Sequence, residues 1–120
     1  MPRSVLIVDD TPAIRRAIRH FFEDSDWQVC GEAENGMVAV EMVKQLGPDA
    51  VILDFQMPIM NGLDAAREIS QVAPSTTMLM LTMHKSEVLQ QQARAVGIDE
   101  VFSKSDGLGS QLLASLKKVS

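Results

Sequence analysis

The residues of this chain that could do chemistry stand directly after short apolar runs. The runs at residues 5–8, 50–53, 77–81 and 100–103 each end in a polar side chain. Those polar residues are Asp9, Asp10, Asp54, Thr82 and Lys104. Taken singly, each is an ordinary residue for the end of a strand, because polar side chains are common in turns. Their recurrence at the same kind of position indicates a shared site.

Short apolar segments alternate with segments of helical period along the whole chain, which predicts five strand-helix units. The predicted strands are residues 5–8, 27–33, 50–53, 77–81 and 100–103, the second of them mixed enough for a sheet edge. Spacing of three and four residues predicts the buried faces of the five helices. These faces are Ile14, Ala17, Ile18, Phe21 and Phe22; Val40, Val43 and Leu46; Leu63, Ala66, Ile69 and Val72; Val88, Leu89, Ala93 and Val96; and Leu108, Leu112, Leu116 and Val119.

Turn-forming residues separate these segments. Thr11 and Pro12 supply an N-cap and a first-turn proline, and Asn35 with Gly36 makes the turn into the second helix. The next helices are ended by Gly47-Pro48, Ala73-Pro74 and Gly97. Strands buried on both faces and linked by helices predict a parallel, doubly wound α/β sheet. Such sheets bind ligands at the carboxyl ends of their strands, where all five polar residues would meet.

The chemistry of these residues is that of a metal-assisted phosphoryl site. Three nearby carboxylates repel one another unless a cation is present, and an oxygen-only ligand set favours Mg²⁺. Lys104 and Thr82 supply a cation and a hydroxyl, which a transferred phosphoryl group needs. Asp54 could then act as the nucleophile, because carboxylates form aspartyl phosphates. His20 and His84 are predicted to be exposed histidines and not zinc ligands.

Composition limits the other functions. The chain of 120 residues, 46% hydrophobic, predicts one globular domain over residues 1–120. It contains no apolar run near the roughly 20 residues of a membrane span and no signal-peptide pattern, so we expect a soluble cytoplasmic protein without membrane contact. A net charge of −5 argues against direct nucleic-acid binding by this domain. Cys30, the single cysteine, is expected to be a buried structural thiol in a reducing compartment.

The motifs of this chain together resemble those of bacterial response regulator receiver domains. They are D-D after the first strand, L-D-F-Q-M-P-I-M-N-G, L-T-M and F-S-K-S, and the resemblance covers essentially all 120 residues. It implies a flavodoxin-like sheet of order 2-1-3-4-5 with five helices. It also implies the site: Asp54 as phosphoacceptor and, with Asp10 and the Gln56 backbone carbonyl, as a Mg²⁺ ligand. Asp9 would hold metal-bound water, and Thr82 and Lys104 would contact phosphate.

The resemblance also implies a function and partners. A sensor histidine kinase or a phosphotransfer protein would phosphorylate Asp54, and the surface of the fourth helix, fifth strand and fifth helix would change conformation. The segment E-A-E-N-G and Lys104 followed by Ser105 look most like receivers of LuxR-type regulators. The output would then be a DNA-binding domain missing from this chain, or a partner protein. A homodimer is a further possibility, and such a switch is not a conventional enzyme.

Two positions depart from the usual receiver pattern, and two others leave a role open. Val101 stands where many receivers have an aromatic residue that swings inward when the Thr or Ser shifts toward the phosphate. Phe102 beside it is predicted to pack in the core. Ser105 replaces the common proline and predicts a trans peptide bond. Gln56 and His84 either tune the lifetime of the phosphate or are solvated loop residues.

Two other segments have simple structural interpretations, and two other functions are disfavoured. Residues 57–60 are predicted to pack and stiffen their turn. The cluster Arg15, Arg16 and Arg19 is most simply a solvated helix face, although in receivers the first helix could contact the kinase. A metal-dependent phosphatase of the haloacid-dehalogenase type is disfavoured. Such enzymes have the motif D-x-D at the nucleophile, whereas here Gln56 stands two residues after Asp54. A pseudo-receiver that only binds a partner is disfavoured by the complete acid set.

Overall fold

A computed structural model describes residues 3–105 and 108–118 of the chain, which form alternating strands and helices. The strands are β1 (Arg3–Val8), β2 (Trp27–Ala33), β3 (Ala50–Asp54), β4 (Thr77–Thr82) and β5 (Glu100–Ser103). The helices are α1 (Pro12–Phe22), α2 (Gly36–Leu46), α3 (Gly62–Val72), α4 (Glu87–Ala95) and α5 (Leu108–Lys118). Within the described residues no helix combines the length and the apolar character that crossing a bilayer requires.

The five strands form one parallel sheet of order β2-β1-β3-β4-β5. The predicted order, the five strand-helix units and the edge position of β2 are therefore confirmed. The chain runs outward from β1 to β2 and then returns to β3 on the other side, so strand order reverses between β1 and β3. A crevice for a ligand forms at such a reversal, outside the carboxyl ends of the strands.

The core lies on both faces of the sheet because the central strands alternate apolar side chains between the two sides. Leu6 and Val8 of β1 pack with α2, α3 and α4, whereas Val5 and Ile7 pack with α1 and α5. Phe102 is buried in the second of these clusters, as predicted, and Val101 in the first. The strand ends are thus held between two helical layers.

The predicted buried faces of the helices are correct at their centres and wrong at their margins. Five residues predicted to face the sheet are exposed: Ala17, Phe21, Leu46, Val72 and Val88. Each lies next to, or three residues after, a buried residue of its helix, because one side of a helix covers a stripe of the sheet narrower than the apolar pattern. Phe21 instead covers Gly109 of α5, where a Cβ would overlap its ring. Leu112 and Leu116 are buried as predicted, and Val119 lies outside the described residues.

Polar side chains cap the N-termini of three helices, and two helices close with the glycines that the sequence predicts. Asn35, Asn61 and Ser86 cap α2, α3 and α4 by accepting from the backbone N–H three residues on. Gly47 (φ 56°) and Gly97 (φ 96°) adopt the left-handed conformation that closes α2 and α4. Thr11 precedes Pro12 at the start of α1, but its side chain makes no capping hydrogen bond.

Candidate functional site

The end of β1 presents one buried and one exposed carboxylate. The Asp9 backbone N–H donates to the Ala33 carbonyl (3.0 Å), and Asp9 Oδ1 accepts from the Thr11 N–H (2.9 Å). Asp9 is fully buried, whereas Asp10 is exposed at the rim. The two acids that follow β1 are therefore different in kind, because one is locked into the fold and the other is open to a ligand.

Asp54 ends β3, and the loop that follows packs closely against it. Asp54 is 4% exposed, and the Phe55 N–H donates to the Leu81 carbonyl of β4 (2.9 Å). The Gly62 N–H then donates to the Phe55 carbonyl (2.8 Å), which brings the start of α3 back under the strand end. A Cβ on Gly62 would overlap the Asp54 carbonyl oxygen, so only glycine permits this approach.

Lys104 joins the strand ends. Its backbone N–H donates to the Thr82 carbonyl (2.8 Å), which continues the pairing of β4 and β5 to the edge of the sheet. Its Nζ lies 3.0 Å from Asp9 Oδ2 and 3.0 Å from Asp54 Oδ1, and the side chain is only 11% exposed. One ammonium therefore bridges the carboxylates of β1 and β3.

Burial and the neighbouring charges shift the pKa values of both Asp54 and Lys104. The pKa of Asp54 is raised to about 6, chiefly by burial; the Lys104 hydrogen bond opposes the rise, and the charges of Asp9 and Asp10 add to it. Burial by itself would lower the pKa of Lys104, but the contacts with Asp54 and Asp9 outweigh it and the pKa is raised. The site thus keeps its cation charged while disfavouring a charge on Asp54.

The five side chains predicted from the strand ends are all at this edge of the sheet. Four of them line an open pocket of about 230 Å³ together with Gln56 and Met83. The four are Asp10, Asp54, Thr82 and Lys104, and Asp9 lies beneath them against Lys104. The Thr82 hydroxyl accepts from the His84 N–H (3.3 Å), so the backbone after β4 already positions it. Gln56 lines the pocket, while His84 contacts the site through its backbone.

The acidic residues fit a hard divalent cation. Asp9, Asp10 and Asp54 each offer a carboxylate oxygen, and these oxygens lie within 4.8 Å of one another. Asp9 Oδ2 is buried and, although the Lys104 ammonium is near, it accepts no well-aligned hydrogen bond from the described residues. A buried carboxylate oxygen with spare acceptor capacity is what a cation or its water would satisfy. The donor set, all oxygen, matches Mg²⁺.

One charged network at this edge was not predicted. Arg15 Nε donates to Glu32 Oε1 (2.9 Å) and Arg15 Nη1 to the Asp9 carbonyl (2.6 Å), while Arg19 Nε donates to Glu32 Oε2 (2.8 Å). Burial raises the pKa of Glu32, but the hydrogen bonds from Arg19 and Arg15 outweigh it and hold the pKa below its usual value. The prediction of a solvated arginine face is therefore wrong for Arg15, only 17% exposed, and holds for Arg16.

A signal for this network was present in the sequence. Arg15 and Arg19 are four residues apart and so share one face of α1, and Glu32 is an acid within the edge strand beside it. Strand alternation by itself does not tell which side of β2 carries Glu32. The pairing of Glu32 with Arg15 and Arg19 therefore depends on how β2 and α1 pack together.

The remaining predicted residues fall as follows. His20 is exposed on α1 and contacts Glu23 (3.3 Å). Cys30 is partly buried, its Sγ lies 3.5 Å from the Val5 carbonyl, and burial raises its pKa. The described residues contain no cis peptide bond, and the Ser105 hydroxyl lies 2.8 Å from that of Ser103.

The fold and the site define a class of protein: a doubly wound α/β domain with acids, a hydroxyl and a lysine gathered where the strand order reverses. Among such proteins the family model of the response regulator receiver domain matches residues 5–116. The chain belongs to this family. Receiver domains are phosphorylation-dependent signalling switches that bind Mg²⁺ at an acidic pocket, interact with histidine kinases and phosphotransfer proteins, and are not themselves enzymes.

Relatives of this chain differ in the share of their length that the match covers. The chain is 34% identical to the chemotaxis protein CheY of Thermotoga maritima over 120 residues, which are 100% of this chain and 99% of that protein. It is 35% identical to protein-glutamate methylesterase/protein-glutamine glutaminase 3 of Hahella chejuensis over 105 residues. That match covers 86% of this chain and 30% of the methylesterase, so this chain corresponds to under a third of that relative's length.

A solved structure of similar fold comes from a regulator of a third kind. The two-component response regulator of the LuxR family from Aurantimonas superposes with a TM-score of 0.90 at 25% identity. The alignment covers 99% of this chain and 86% of that one. The structures similar to this chain therefore include receivers of LuxR-family regulators.

Proposed function

We propose that Asp54 of this chain accepts a phosphoryl group from a phosphohistidine of a sensor kinase or phosphotransfer protein. The observation that supports this most is the contact of one Lys104 ammonium with both Asp9 and Asp54, 3.0 Å from each, beside an open pocket. A phosphoryl group entering that pocket would meet a carboxylate nucleophile and a cation to balance its charge.

Each side chain has a defined part in the transfer. An ionised Asp54 oxygen attacks phosphorus, the bond between phosphorus and the histidine nitrogen breaks, and the nitrogen keeps the electron pair. Lys104 gives up part of its pairing with Asp54 and contacts a phosphoryl oxygen. The Thr82 hydroxyl, now held by the His84 backbone, can turn its hydrogen toward another oxygen. In hydrolysis, water attacks the same phosphorus, the bond between phosphorus and the Asp54 oxygen breaks, and the Asp54 carboxylate and inorganic phosphate are released.

The acids of β1 would hold the metal. Asp10 and Asp54, with the Gln56 carbonyl, would be direct ligands of Mg²⁺, and buried Asp9 would hold metal-bound water through Oδ2, the oxygen that also lies near the Lys104 ammonium. Bound there, Mg²⁺ would neutralise charge that develops on the phosphoryl oxygens. The three carboxylates would then be brought together without the repulsion that now adds to the rise, caused chiefly by burial, in the pKa of Asp54.

The output surface is assigned to α4, β5 and α5. A shift of Thr82 toward phosphate would loosen its contact with the His84 backbone, which leads into α4. Val101 takes the place of an aromatic switch and packs on α4, so the response here is a movement of the β4-α4 segment. The partner of this surface would be a DNA-binding domain, another protein or a second copy of the chain. Cytoplasmic location and transcriptional control stay predictions.

Gln56 and His84 are proposed to set how fast the phosphate is lost. Gln56 lines the pocket, so its side chain can shield or admit the attacking water. His84 follows the Thr82 contact and is exposed. We expect Gln56→Ala and His84→Ala to change the first-order dephosphorylation rate, and rates equal to that of the unaltered protein would contradict this role.

The test of the whole proposal is labelling by acetyl phosphate or phosphoramidate with Mg²⁺. Intact mass should rise by one phosphoryl group in the unaltered protein and in an Asp24→Asn control at an exposed loop acid. It should not rise in Asp54→Asn or in the presence of EDTA. Labelling that persists in Asp54→Asn would overturn the assignment. Release of phosphate with rapid multiple turnover would favour a phosphatase.

A further inference from the structure

The guanidinium of Arg15 connects three elements beside the acidic residues. It leaves the first turn of α1, donates through Nε to Glu32 of β2 (2.9 Å) and through Nη1 to the carbonyl of Asp9 (2.6 Å). The side chain is 17% exposed, so the bonds are largely shielded from water. Arg19 also donates to Glu32 (2.8 Å), whereas the described bond to the Asp9 carbonyl comes from Arg15.

The Asp9 carbonyl is half of the peptide unit that carries Asp10. Because that unit is planar, fixing its oxygen also fixes the direction in which the chain continues to Asp10. The Asp9 N–H is held by the Ala33 carbonyl (3.0 Å), so both sides of Asp9 are anchored. The Asp10 carboxylate itself is exposed, and its described hydrogen bond is a long one of 3.5 Å from the Thr11 hydroxyl.

We propose that Arg15 is a positioning residue for the Mg²⁺ site: its bond to the Asp9 carbonyl orients the Asp9-Asp10 peptide so that the carboxylates are preorganised for the cation. This inference rests on the proposed function, in which Asp9 and Asp10 serve the metal. Glu32 orients Arg15, because it accepts from Arg15 Nε and so directs Arg15 Nη1 toward the Asp9 carbonyl.

The charge of Arg15 and its positioning role have opposite effects on Mg²⁺ affinity, so a measurement of that affinity distinguishes them. Arg15 is a cation near a cation site, so removal of its charge alone would strengthen Mg²⁺ binding slightly. Loss of a group that orients metal ligands weakens metal binding, commonly tenfold or more. A fall in affinity when Arg15 is removed therefore identifies positioning and not electrostatics.

The experiment is a titration with MgCl₂ at constant ionic strength, followed by the NMR shifts of the backbone amides of Thr82 and Lys104. We expect Arg15→Ala to bind Mg²⁺ about tenfold more weakly than the unaltered protein. Arg19→Ala removes a charge from the same ion-pair network, and Arg16→Ala removes an exposed charge from the same helix. Both controls should bind with an affinity within about twofold of the unaltered protein.

Arg15→Lys keeps the charge but has a single nitrogen that cannot bridge Glu32 and the Asp9 carbonyl at the geometry of Nε and Nη1. It should bind Mg²⁺ several-fold more weakly while its urea unfolding without metal stays close to that of Arg19→Ala. This variant also decides the matter if Arg15→Ala does not fold. Equal or tighter binding by the folded Arg15 variants would overturn the inference, and so would an equal loss in Arg19→Ala. Failure of the unaltered protein to bind Mg²⁺ would overturn the proposed function as well.

Discussion

Asp54 should make the metal-free protein less stable than its neutral isostere. Its folded pKa of about 6 lies above the unfolded value of 3.8, so the fold favours the protonated form. This difference corresponds to about 3 kcal/mol of unfolding free energy lost once the pH exceeds both values. Asp54→Asn carries no such charge and has nearly the shape of the protonated acid.

The pH dependence follows from the sign of the shift. Below the unfolded pKa of 3.8 both states are protonated and Asp54 has no effect on stability. As the pH rises through 3.8 to about 6, the unfolded chain releases its proton first and the fold loses stability. The advantage of Asp54→Asn should therefore be about 1 kcal/mol at pH 4.5 and approach 3 kcal/mol at pH 8.

The assay is urea unfolding in EDTA at pH 4.5 and at pH 8, with Asp24→Asn as the control for loss of an exposed acid. Addition of MgCl₂ at pH 8 should stabilise the unaltered protein, by an amount that grows with concentration, and leave Asp54→Asn nearly unchanged. If Asp54→Asn is no more stable than the unaltered protein at pH 8 without metal, then Lys104 compensates the buried charge and the reasoning is refuted.

Substitutions at three further positions test the surroundings of the site by urea unfolding. Ile59 has φ 70° at the centre of a turn closed by the Met60 N–H and the Pro58 carbonyl (2.7 Å) and is 74% exposed. Ile59→Gly should raise the free energy of unfolding by about 1 kcal/mol, because glycine adopts this positive φ without strain. Ile59→Ala keeps the Cβ and should raise it little. Gly62→Ala should cost more than about 2 kcal/mol, because its Cβ would meet the Asp54 carbonyl; a neutral result would show that the loop can move. Glu32→Gln should cost about 1 kcal/mol at pH 7, and the cost should fade as the pH falls below 4.5, because the lowered pKa makes this stabilisation available only to the ionised acid. A cost that does not vary with pH would contradict the ion pairs.

The order of elements and the membership of the site were accessible from sequence for the same reason. Apolar runs such as residues 50–53 are buried on both faces, which requires parallel strands with helices on either side. A polar residue that ends such a run must then lie at the carboxyl edge. Asp54, Thr82 and Lys104 were found in this way although they are far apart in the chain.

The margins of the helices and the arginine network were not accessible in the same way. Val88 has the spacing of a buried residue, yet α4 turns it outward at 65% exposure because Leu89 and Ala93 already cover the sheet. Arg15 and Arg19 look like solvated charges until β2 brings Glu32 beside α1. Periodicity describes one helix at a time, whereas these positions depend on the placement of a second element.

The sequence by itself therefore determined which side chains meet at the carboxyl edge of the sheet, since strand periodicity and chain direction leave the acids, Thr82 and Lys104 no other place. Only the tertiary structure decided how they are held. The contact of Lys104 with both Asp9 and Asp54, and the bond from Arg15 to the Asp9 carbonyl, join residues of different elements. Such contacts depend on distances between packed elements, which no local pattern encodes.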